Sequence, residues 1–335
     1  MVHFWDSVKE GVTLVNRNWQ LVLIRVVASL ITFIGFFIIV GIPFAIAVIA
    51  VGVNLLAARP EAFLEGLKDI LLKGYLGIAL LLVMGILIYL IFAVTLWVYV
   101  LAGSFGVLGA NLKNPAHAFK LSGFFSEGKR LFWPFTRFYT IIGLFVILVF
   151  LLLGLAGGVA VVALGLPRES LPLVALYLVG VFSIIMFLAF EFSVFGAGII
   201  VLESRGAWES VKGGWICRRI RKEILKWCAA WEAVKKGWSF LAAHPRAFWG
   251  YGLLLFSYFF VSLFLLVLAY PFSLIPIIGS LIMLPYQIMV SAVQRYLGLV
   301  LAGTAFSYYF RSTGPGIPEG APAQEGVPPG GNPPG

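Results

Sequence analysis

Six stretches of this chain are each long and apolar enough to cross a lipid bilayer. They run about 20–40 with a continuation to Ala57, then about 76–108, 138–162, 173–202, 248–270 and 282–309. A helix needs about 20 apolar residues to cross a hydrocarbon core about 30 Å thick. Only 11% of the residues are charged, against roughly 25% in a soluble domain. The sequence therefore predicts an all-α integral membrane protein with six transmembrane helices and no large soluble domain.

The distribution of Lys and Arg predicts how the chain is oriented. Eighteen of the 24 lie in the N-terminal arm, in the 110–137 and 203–246 connections and at the C-terminal end, and four lie in the connections on the opposite side. Positively charged loops stay in the cytoplasm. The N-terminal segment also lacks the pattern of a cleavable signal peptide, so the first span is expected to remain as an anchor. We therefore expect a multi-pass protein of the inner (plasma) membrane with both termini in the cytoplasm, and its net charge of +10 needs no nucleic acid as a partner.

The C-terminal segment and the two cysteines lack the patterns of a folded domain, a redox pair and a zinc site. Residues 313–335 are rich in Pro and Gly and nearly free of aliphatic side chains, which predicts a disordered cytoplasmic tail. Cys217 and Cys228 are eleven residues apart, a spacing that fits neither a CxxC redox pair nor a zinc site. We interpret them as free thiols in a reducing compartment.

A nine-residue word occurs three times. It reads FWDSVKEGV at 4–12, AWESVKGGW at 207–215 and AWEAVKKGW at 230–238. In each third of the chain an amphipathic segment precedes a pair of spans, although the middle third keeps only its aromatic and basic character, at 124–139. The first and last copies align without a gap.

The second span of each pair ends in a cluster of small residues. The clusters are VLAGSFGVLG at 100–109, VFGAGIIVLE at 194–203 and LVLAGTAFSYYF at 299–310. Self-similarity of this kind predicts three pseudo-repeated hairpins, each preceded by an amphipathic interfacial helix. The repeat units are then about 4–110, 117–205 and 228–311, within one membrane domain at 1–312. The alternative is that basic aromatic segments simply precede every odd-numbered span.

The word has the periodicity of an interfacial helix. At 100° per residue Trp5 and Trp19 fall on one side together with valines, whereas Lys9 lies off that stripe. Trp favours headgroup depth and Lys favours lipid phosphates, which together predict a helix lying in the membrane interface. Gly11 and Gly237 would permit close approach of a neighbouring helix.

The densest basic charge lies between two copies of the word. Between Trp215 and Trp227 the chain holds five basic residues and one acid, and each exposed basic residue near an anionic leaflet contributes about 1 kcal/mol. The predicted lipid-binding residues are the aromatic and basic residues of this segment: Trp208, Lys212, Trp215, Arg218, Arg219, Arg221, Lys222, Lys226, Trp227, Trp231, Lys235, Lys236 and Trp238. The alternatives are a loop that only sets topology, or a helix on which another protein docks.

Three ionisable residues lie within the spans. Arg25 follows the first span's start closely enough to act as an interfacial anchor. Glu191 and Arg295 lie at similar distances before a glycine cluster, and each alone would cost about 2.5–3.5 kcal/mol in the membrane. We therefore expect a buried contact between them, either as structural pairing or as part of a polar path with Gln287 and Gln294.

Groups for catalysis are scarce. The three histidines, His3, His117 and His244, lie outside the spans, and no HExxH, GxSxG or phosphate-binding loop is present in the sequence. We therefore predict no catalytic residue, no metal and no cofactor. An enzyme would need a further polar constellation, at the cytoplasmic surface near His117 or His244.

The run IIVLESRGAWESVKGGW at 199–215 resembles a motif of uncharacterised six-span bacterial and archaeal membrane proteins. The same motif occurs in the membrane domain that accompanies some glycerophosphoryl diester phosphodiesterases. The resemblance covers about residues 4–310 and implies a helical membrane fold with no established activity. The His and acidic metal ligands of the phosphodiesterase barrel have no counterpart here, so that activity is not implied.

Two functions remain after these exclusions. The first is a non-enzymatic scaffold or accessory subunit that engages anionic lipids of the inner leaflet, with another membrane protein or a second copy of the chain as a partner. The second is a small transporter or channel with a midplane site at Glu191 and Arg295. A transporter should have a polar cavity that reaches Glu191, whereas a scaffold should be dry and packed through glycines there.

Overall fold

The computed structural model describes residues 4–51, 76–115, 119–163, 165, 171–211, 220–273 and 276–313. Within these residues the backbone forms eight helices and no strand. They are α1 (Phe4–Arg17), α2 (Gln20–Phe36, continuing through a π-helical turn at Phe37–Gly41 into Ile42–Val51), α3 (Leu76–Lys113), α4 (Leu121–Ala163), α5 (Leu171–Val211), α6 (Ile220–Ala243), α7 (Pro245–Ser273) and α8 (Pro276–Thr313). The predicted continuation to Ala57 and the predicted disordered tail after Thr313 lie outside the described residues.

Six of these helices, α2, α3, α4, α5, α7 and α8, are long and apolar enough to cross a membrane. Their positions match the six stretches predicted from the sequence. The chain is therefore a multi-pass integral membrane protein with an all-helical fold, as predicted.

Several helices are longer than the spans predicted for them. The third span was expected from about residue 138, but α4 begins at Leu121 and runs for 43 residues, which corresponds to about 65 Å at 1.5 Å per residue. Pro134 lies inside this helix. A proline there removes one backbone hydrogen bond, but the helix continues past it. The middle amphipathic segment is thus not a separate interfacial helix, since it forms one rod with its span.

The buried core lies at one end of the bundle. The last third of α3, the 191–202 part of α5 and the 299–309 part of α8, which hold the three small-residue clusters, are almost continuously buried. Along the rest of the spans apolar side chains face outward, as do Leu151, Leu173 and Leu266. We call the buried region, with α1 and residues 121–138 and 230–251, the packed end. The outward-facing apolar surface beyond it is the part that hydrocarbon must cover.

Helix α1 packs on the end of α8 through glycine. A Cβ placed on Gly11 would lie 2.6 Å from Oγ1 and 2.7 Å from the backbone N of Thr304, and one on Gly303 would lie 3.2 Å from Cα of Gly11. The two backbones therefore touch, which small residues permit and larger ones obstruct. This contact joins the first helix of the chain to the last.

The other two amphipathic segments pack on the span that precedes them in the chain. The start of α4 lies on α3, where a Cβ on Gly103 would come within 2.6 Å of the Phe124 ring. Helix α6 lies on α5, where a Cβ on Gly237 would be 3.1 Å from the Phe192 ring and 3.8 Å from Cα of Gly196. Each amphipathic segment thus rests on one small-residue cluster, and α1 completes the series by resting on α8.

The ends of α3, α5 and α8 meet at the centre of the packed end. A Cβ on Gly109 would overlap Cγ1 of Val201, at 2.2 Å, and one on Gly198 would lie 2.8 Å from the Phe306 ring. Phe306 in turn packs edge-on against Phe105, with 5.1 Å between ring centroids. Aromatic side chains of one helix therefore fill the space that glycines leave on the next.

A buried amide pair ties α1 to α3. Nδ2 of Asn111 donates to Oδ1 of Asn18 at 2.6 Å, and Nδ2 of Asn18 donates to the backbone O of Leu14 at 2.8 Å. We expect Asn18→Ala to lower the free energy of unfolding by about 1–3 kcal/mol, because it leaves the buried Asn111 amide without its partner. Chemical unfolding in one detergent would measure this. Thr13→Ala is the control, since Thr13 is exposed and its hydroxyl bonds only within α1; equal losses for both variants would contradict the expectation.

Candidate functional site

The apolar stripe predicted on α1 divides into two faces. The buried face holds Ser7, Gly11, Leu14 and Val15, whereas Trp5, and Trp19 in the turn that follows α1, are 63% and 57% exposed. At 3.6 residues per turn the tryptophans lie roughly a third of a turn from the buried face. The Trp face is therefore not the face that packs on protein, and it remains uncovered.

Helix α6 has the same arrangement. Its buried face holds Ala230, Ala233 and Gly237, whereas Trp231 and Trp238 are 51% and 72% exposed. The offset between the two faces is again roughly a third of a turn, in the same direction. One helix face thus packs on a small-residue cluster while an aromatic face points away from it.

The start of α4 also presents aromatic side chains away from its buried face. Phe125 and Trp133 are exposed, and the hydroxyl of Tyr99 on α3 donates to the backbone O of Phe125 at 3.2 Å. A groove of about 520 Å³ opens here between α3 and α4. Its lining is apolar apart from Thr95, the Tyr99 hydroxyl and Lys129: Phe92, Thr95, Leu96, Tyr99, Lys129, Phe132 and Trp133.

The predicted lipid-binding residues are described only in part. Trp208 lies on α5, and Arg221, Lys222, Lys226 and Trp227 lie on α6, but their side chains are outside the description; Lys212, Trp215, Arg218 and Arg219 lie outside the described residues altogether. Lys235 is exposed together with Trp231 and Trp238. Lys236 is exposed too, but its Nζ forms an ion pair with Oε2 of Glu203 at 2.6 Å. The predicted lipid-binding role of this segment stays a prediction.

The expected contact between Glu191 and Arg295 is wrong. Glu191 is only 1% exposed, and within the described part of the chain neither of its carboxylate oxygens has a hydrogen-bond partner. It faces α7, where a Cβ on Gly252 would lie 3.9 Å from its Oε2, whereas Nη2 of Arg295 donates to Oγ of Ser29 on α2 at 3.0 Å. Similar depth on two helices did not bring the side chains together, because the helices turn these residues toward different neighbours.

The side chain of Arg25 packs against α3, and its predicted role as an interfacial anchor stays a prediction. Its Nε donates to Oγ of Ser104 on α3 at 3.1 Å, and its Cζ lies 5.4 Å from the centroid of the Phe105 ring. The Oγ of Ser29 donates to the backbone O of Arg25 at 3.0 Å, so the hydroxyl that receives Arg295 sits one turn from Arg25. Sequence reasoning missed this association of two arginines; a serine one turn after an intramembrane arginine was the available signal of an inward-facing polar stripe.

Gln287 and Gln294 line a different part of the molecule. With Tyr286 and Ser291 they border a groove of about 260 Å³ between α7 and α8, and the Tyr286 hydroxyl donates to the backbone O of Leu265 at 2.5 Å. Neither Glu191 nor Arg295 borders this groove. The four residues predicted to form one midplane polar site are therefore not brought together.

His244 lies at the junction of α6 and α7. Its ring stacks on Phe240, with 4.4 Å between centroids, and its Nδ1 lies 3.0 Å from the backbone O of the same residue. Among the described residues no group of three or more His, Cys, Asp or Glu side chains comes together as a metal site would require. His117 lies outside the described residues.

The separation of Glu191 and Arg295 makes a quantitative prediction. Side chains without shared partners contribute independently to stability, within about 0.5 kcal/mol. We expect a double-mutant cycle of Glu191→Gln and Arg295→Gln to give a coupling energy below this value, measured by chemical unfolding in one detergent. A coupling energy of 1 kcal/mol or more would restore the pairing that the structure does not contain.

No protein-family model, curated protein or solved structure matches the chain. The resemblance of residues 199–215 to the six-span prokaryotic proteins therefore stays a prediction. Helix length and hydropathy carry the assignment that is made: the chain is a multi-pass integral membrane protein built from six apolar spans.

Proposed function

We propose that this protein is a non-enzymatic scaffold or accessory subunit that engages the lipids of the cytoplasmic leaflet through its amphipathic segments. One observation carries the proposal. In α1, at the start of α4 and in α6, one face packs on a small-residue cluster while exposed aromatic side chains remain on another. Trp5, Phe125 and Trp238 are examples, each more than half exposed.

The three packing contacts also support an internal repeat. Gly11 meets Thr304, Gly103 meets Phe124, and Gly237 meets Phe192, so a short amphipathic segment meets the end of a span three times. Under the proposal the repeat units follow one another round a pseudo-threefold axis through the ends of α3, α5 and α8. The uncovered aromatic faces then lie at one depth, in one plane of the membrane.

The chemistry of these faces suits a membrane interface. Trp favours headgroup depth, and the neighbouring Lys235 is free to extend toward phosphate. Anionic lipids of the inner leaflet would add about 1 kcal/mol for each exposed basic residue near the surface. With the basic loops on that side, both termini are placed in the cytoplasm under this proposal.

The surroundings of Glu191 favour this function over transport. Close to it along α5, Gly196 lies against the Phe138 ring and Gly198 against the Phe306 ring. Neither of the two grooves described above is bordered by Glu191. These glycine–aromatic contacts support the scaffold over a transporter with a polar cavity at this depth.

Single cysteines on α6 test the proposal. In a chain with Cys217 and Cys228 replaced by Ser, Trp238→Cys is placed on the aromatic face and Ser239→Cys on the adjacent polar face. After spin labelling in vesicles of phosphatidylcholine with phosphatidylglycerol, we expect the label at 238 to collide with oxygen and to report headgroup depth. The label at 239 should collide with a water-soluble nickel chelate.

Equal access of the chelate to both positions would overturn the interfacial placement. The orientation is read from the same variants, because a membrane-impermeant maleimide should modify Ser239→Cys in inside-out vesicles only. Native mass spectrometry of the purified chain asks whether anionic lipid or another subunit is retained. If neither is retained, and ion flux in liposomes is abolished by Glu191→Gln, the protein is a transporter instead.

A further inference from the structure

We propose that Arg25 and Arg295 form a binding site for a phosphate group between α2, α3 and α8. The inference rests on the proposed function where the phosphate belongs to a lipid, and stands without it where the phosphate is free. Both arginines lie inside predicted spans, and both are half-buried. The site differs from the basic segment around residues 212–226.

Ser29 connects Arg295 to the backbone of Arg25. Ser29 accepts from Nη2 of Arg295 at 3.0 Å and donates to the backbone O of Arg25 at 3.0 Å. Ser104 accepts from Nε of Arg25 at 3.1 Å, which fixes the plane of that guanidinium against the Phe105 ring. Arg295 and the hydroxyl groups of Tyr139 and Tyr258 lie within electrostatic range of Arg25.

No acid neutralises these charges within the described part of the chain. The ion pairs identified between described residues join Arg130 to Glu127, Lys236 to Glu203 and Arg311 to Glu10, and none of these includes Arg25 or Arg295. Glu191, an intramembrane acid on α5, has no hydrogen-bond partner among the described residues and faces α7. Two like charges in an apolar region repel each other and each is expensive to insert alone, so an anion between them lowers the energy of both.

The hydrogen-bond inventory also points to an external acceptor. Nη2 of Arg25 is buried and has no partner among the groups of the described residues, although a buried donor is normally paired. Guanidinium groups match the geometry of phosphate oxygens through two parallel N–H donors. A phosphate placed here would accept from Arg25 Nη2 and from the free N–H groups of Arg295.

The phosphate has two chemical sources. Arg25 lies six residues beyond Trp19, about 9 Å along a helix at 1.5 Å per residue, which is within reach of an anionic phospholipid headgroup drawn slightly into the bilayer. Inorganic phosphate that enters from the packed end would present the same oxygens. The ligand chemistry is common to both, and the test separates them.

Two assays on the full chain test the site. The first is native mass spectrometry after extraction from vesicles of phosphatidylcholine with phosphatidylglycerol, which counts retained anionic lipid. The second is thermal unfolding of lipid-depleted protein in detergent, with inorganic phosphate titrated against chloride at equal ionic strength. The variants are Arg25→Gln with Arg295→Gln, the charge-retaining Arg25→Lys with Arg295→Lys, and Arg17→Gln as the control on exposed α1 surface.

We expect the double Gln variant to bind the retained lipid, or phosphate, roughly 10- to 100-fold more weakly than the wild type, because charged hydrogen bonds are lost. The double Lys variant should bind with an intermediate affinity, and Arg17→Gln should lose no more than the roughly fivefold that one exposed basic residue contributes at a membrane surface. Retained lipid identifies a lipid headgroup as the source, whereas phosphate stabilisation without retained lipid identifies the free anion; either supports the site. If the double Gln variant does not fold, the affinity of the double Lys variant relative to the wild type tests whether the two arginines bind the phosphate group.

The site is overturned if the wild type neither retains anionic lipid nor is stabilised by phosphate beyond chloride. It is also overturned if folded double variants bind as tightly as Arg17→Gln. Failure of the lipid engagement proposed above is recognised separately, because the spin label at position 238 reads the aromatic face and does not depend on Arg25 or Arg295.

Discussion

Gly11→Ala is expected to destabilise the protein, although alanine normally stabilises a helix. The added Cβ would lie 2.6 Å from Oγ1, 2.7 Å from N and 3.1 Å from Cα of Thr304. Two of these atoms belong to the backbone, so a side-chain rotation cannot make room and α1 must move off α8. Overpacking of this kind costs about 1–3 kcal/mol, which exceeds the gain of up to about 1 kcal/mol that alanine brings to a helix interior.

Gly298→Ala is the matched control on α8. A Cβ at Gly298 has no neighbour within 4 Å, so only the helix-propensity gain remains, and we expect a rise in stability of up to about 1 kcal/mol. Both variants are measured by chemical unfolding in the same detergent. If Gly11→Ala raised the free energy of unfolding as Gly298→Ala does, α1 would not depend on backbone contact with α8.

The parts of the fold that were predictable are those set by local pattern. Uninterrupted apolar length identified the six spans, and Trp and Lys at helical spacing identified α1 and α6 as amphipathic. The small-residue clusters identified where helices approach closely, since only residues such as Gly103 and Gly198 let an aromatic ring from a neighbour reach the backbone. These signals need no knowledge of how distant helices are arranged.

The rotation of each helix could not be predicted in the same way. On α1 the apolar stripe through Trp5 and Trp19 has a stronger pattern than the face of Ser7 and Gly11, yet the second face packs on protein. Inside a membrane, apolarity does not distinguish a lipid-facing surface from a packed one, because lipid chains are as apolar as Leu. Small size, rather than hydrophobicity, marks the packing face.

The predicted contact between Glu191 and Arg295 was wrong for a related reason. Counting residues to Gly198 and Gly303 placed Glu191 and Arg295 at similar depth, which is a statement about position along a helix axis. Whether two such residues meet depends on the azimuth of each helix, and that is fixed by contacts elsewhere, such as Ser29 with Arg295. Ser29 also links Arg295 to the backbone of Arg25, an association of two basic residues that the predicted pairing of opposite charges does not include.

Phe306→Ala is expected to give the largest loss of stability among single truncations at the packed end. Phe306 is fully buried, lies against the Phe105 ring at 5.1 Å between centroids and occupies the space over Gly198. Removing a buried Phe side chain costs about 3–5 kcal/mol. The loss should weaken the packing between the ends of α3, α5 and α8, and chemical unfolding in detergent would measure it as a lower free energy of unfolding.

Phe264→Ala and Gly198→Ala sharpen this test. Phe264 is 57% exposed on α7, and its truncation should cost about 1 kcal/mol or less, because the detergent already covers it. Gly198→Ala alone places a Cβ 2.8 Å from Cδ1 of Phe306 and should destabilise, but in the Phe306→Ala background the ring is gone and the methyl group fills part of the cavity. The two changes should therefore be less harmful together than their sum. Simple additivity would mean that Phe306 and Gly198 are not in contact, and the glycine would then need another reason for its place in the central cluster.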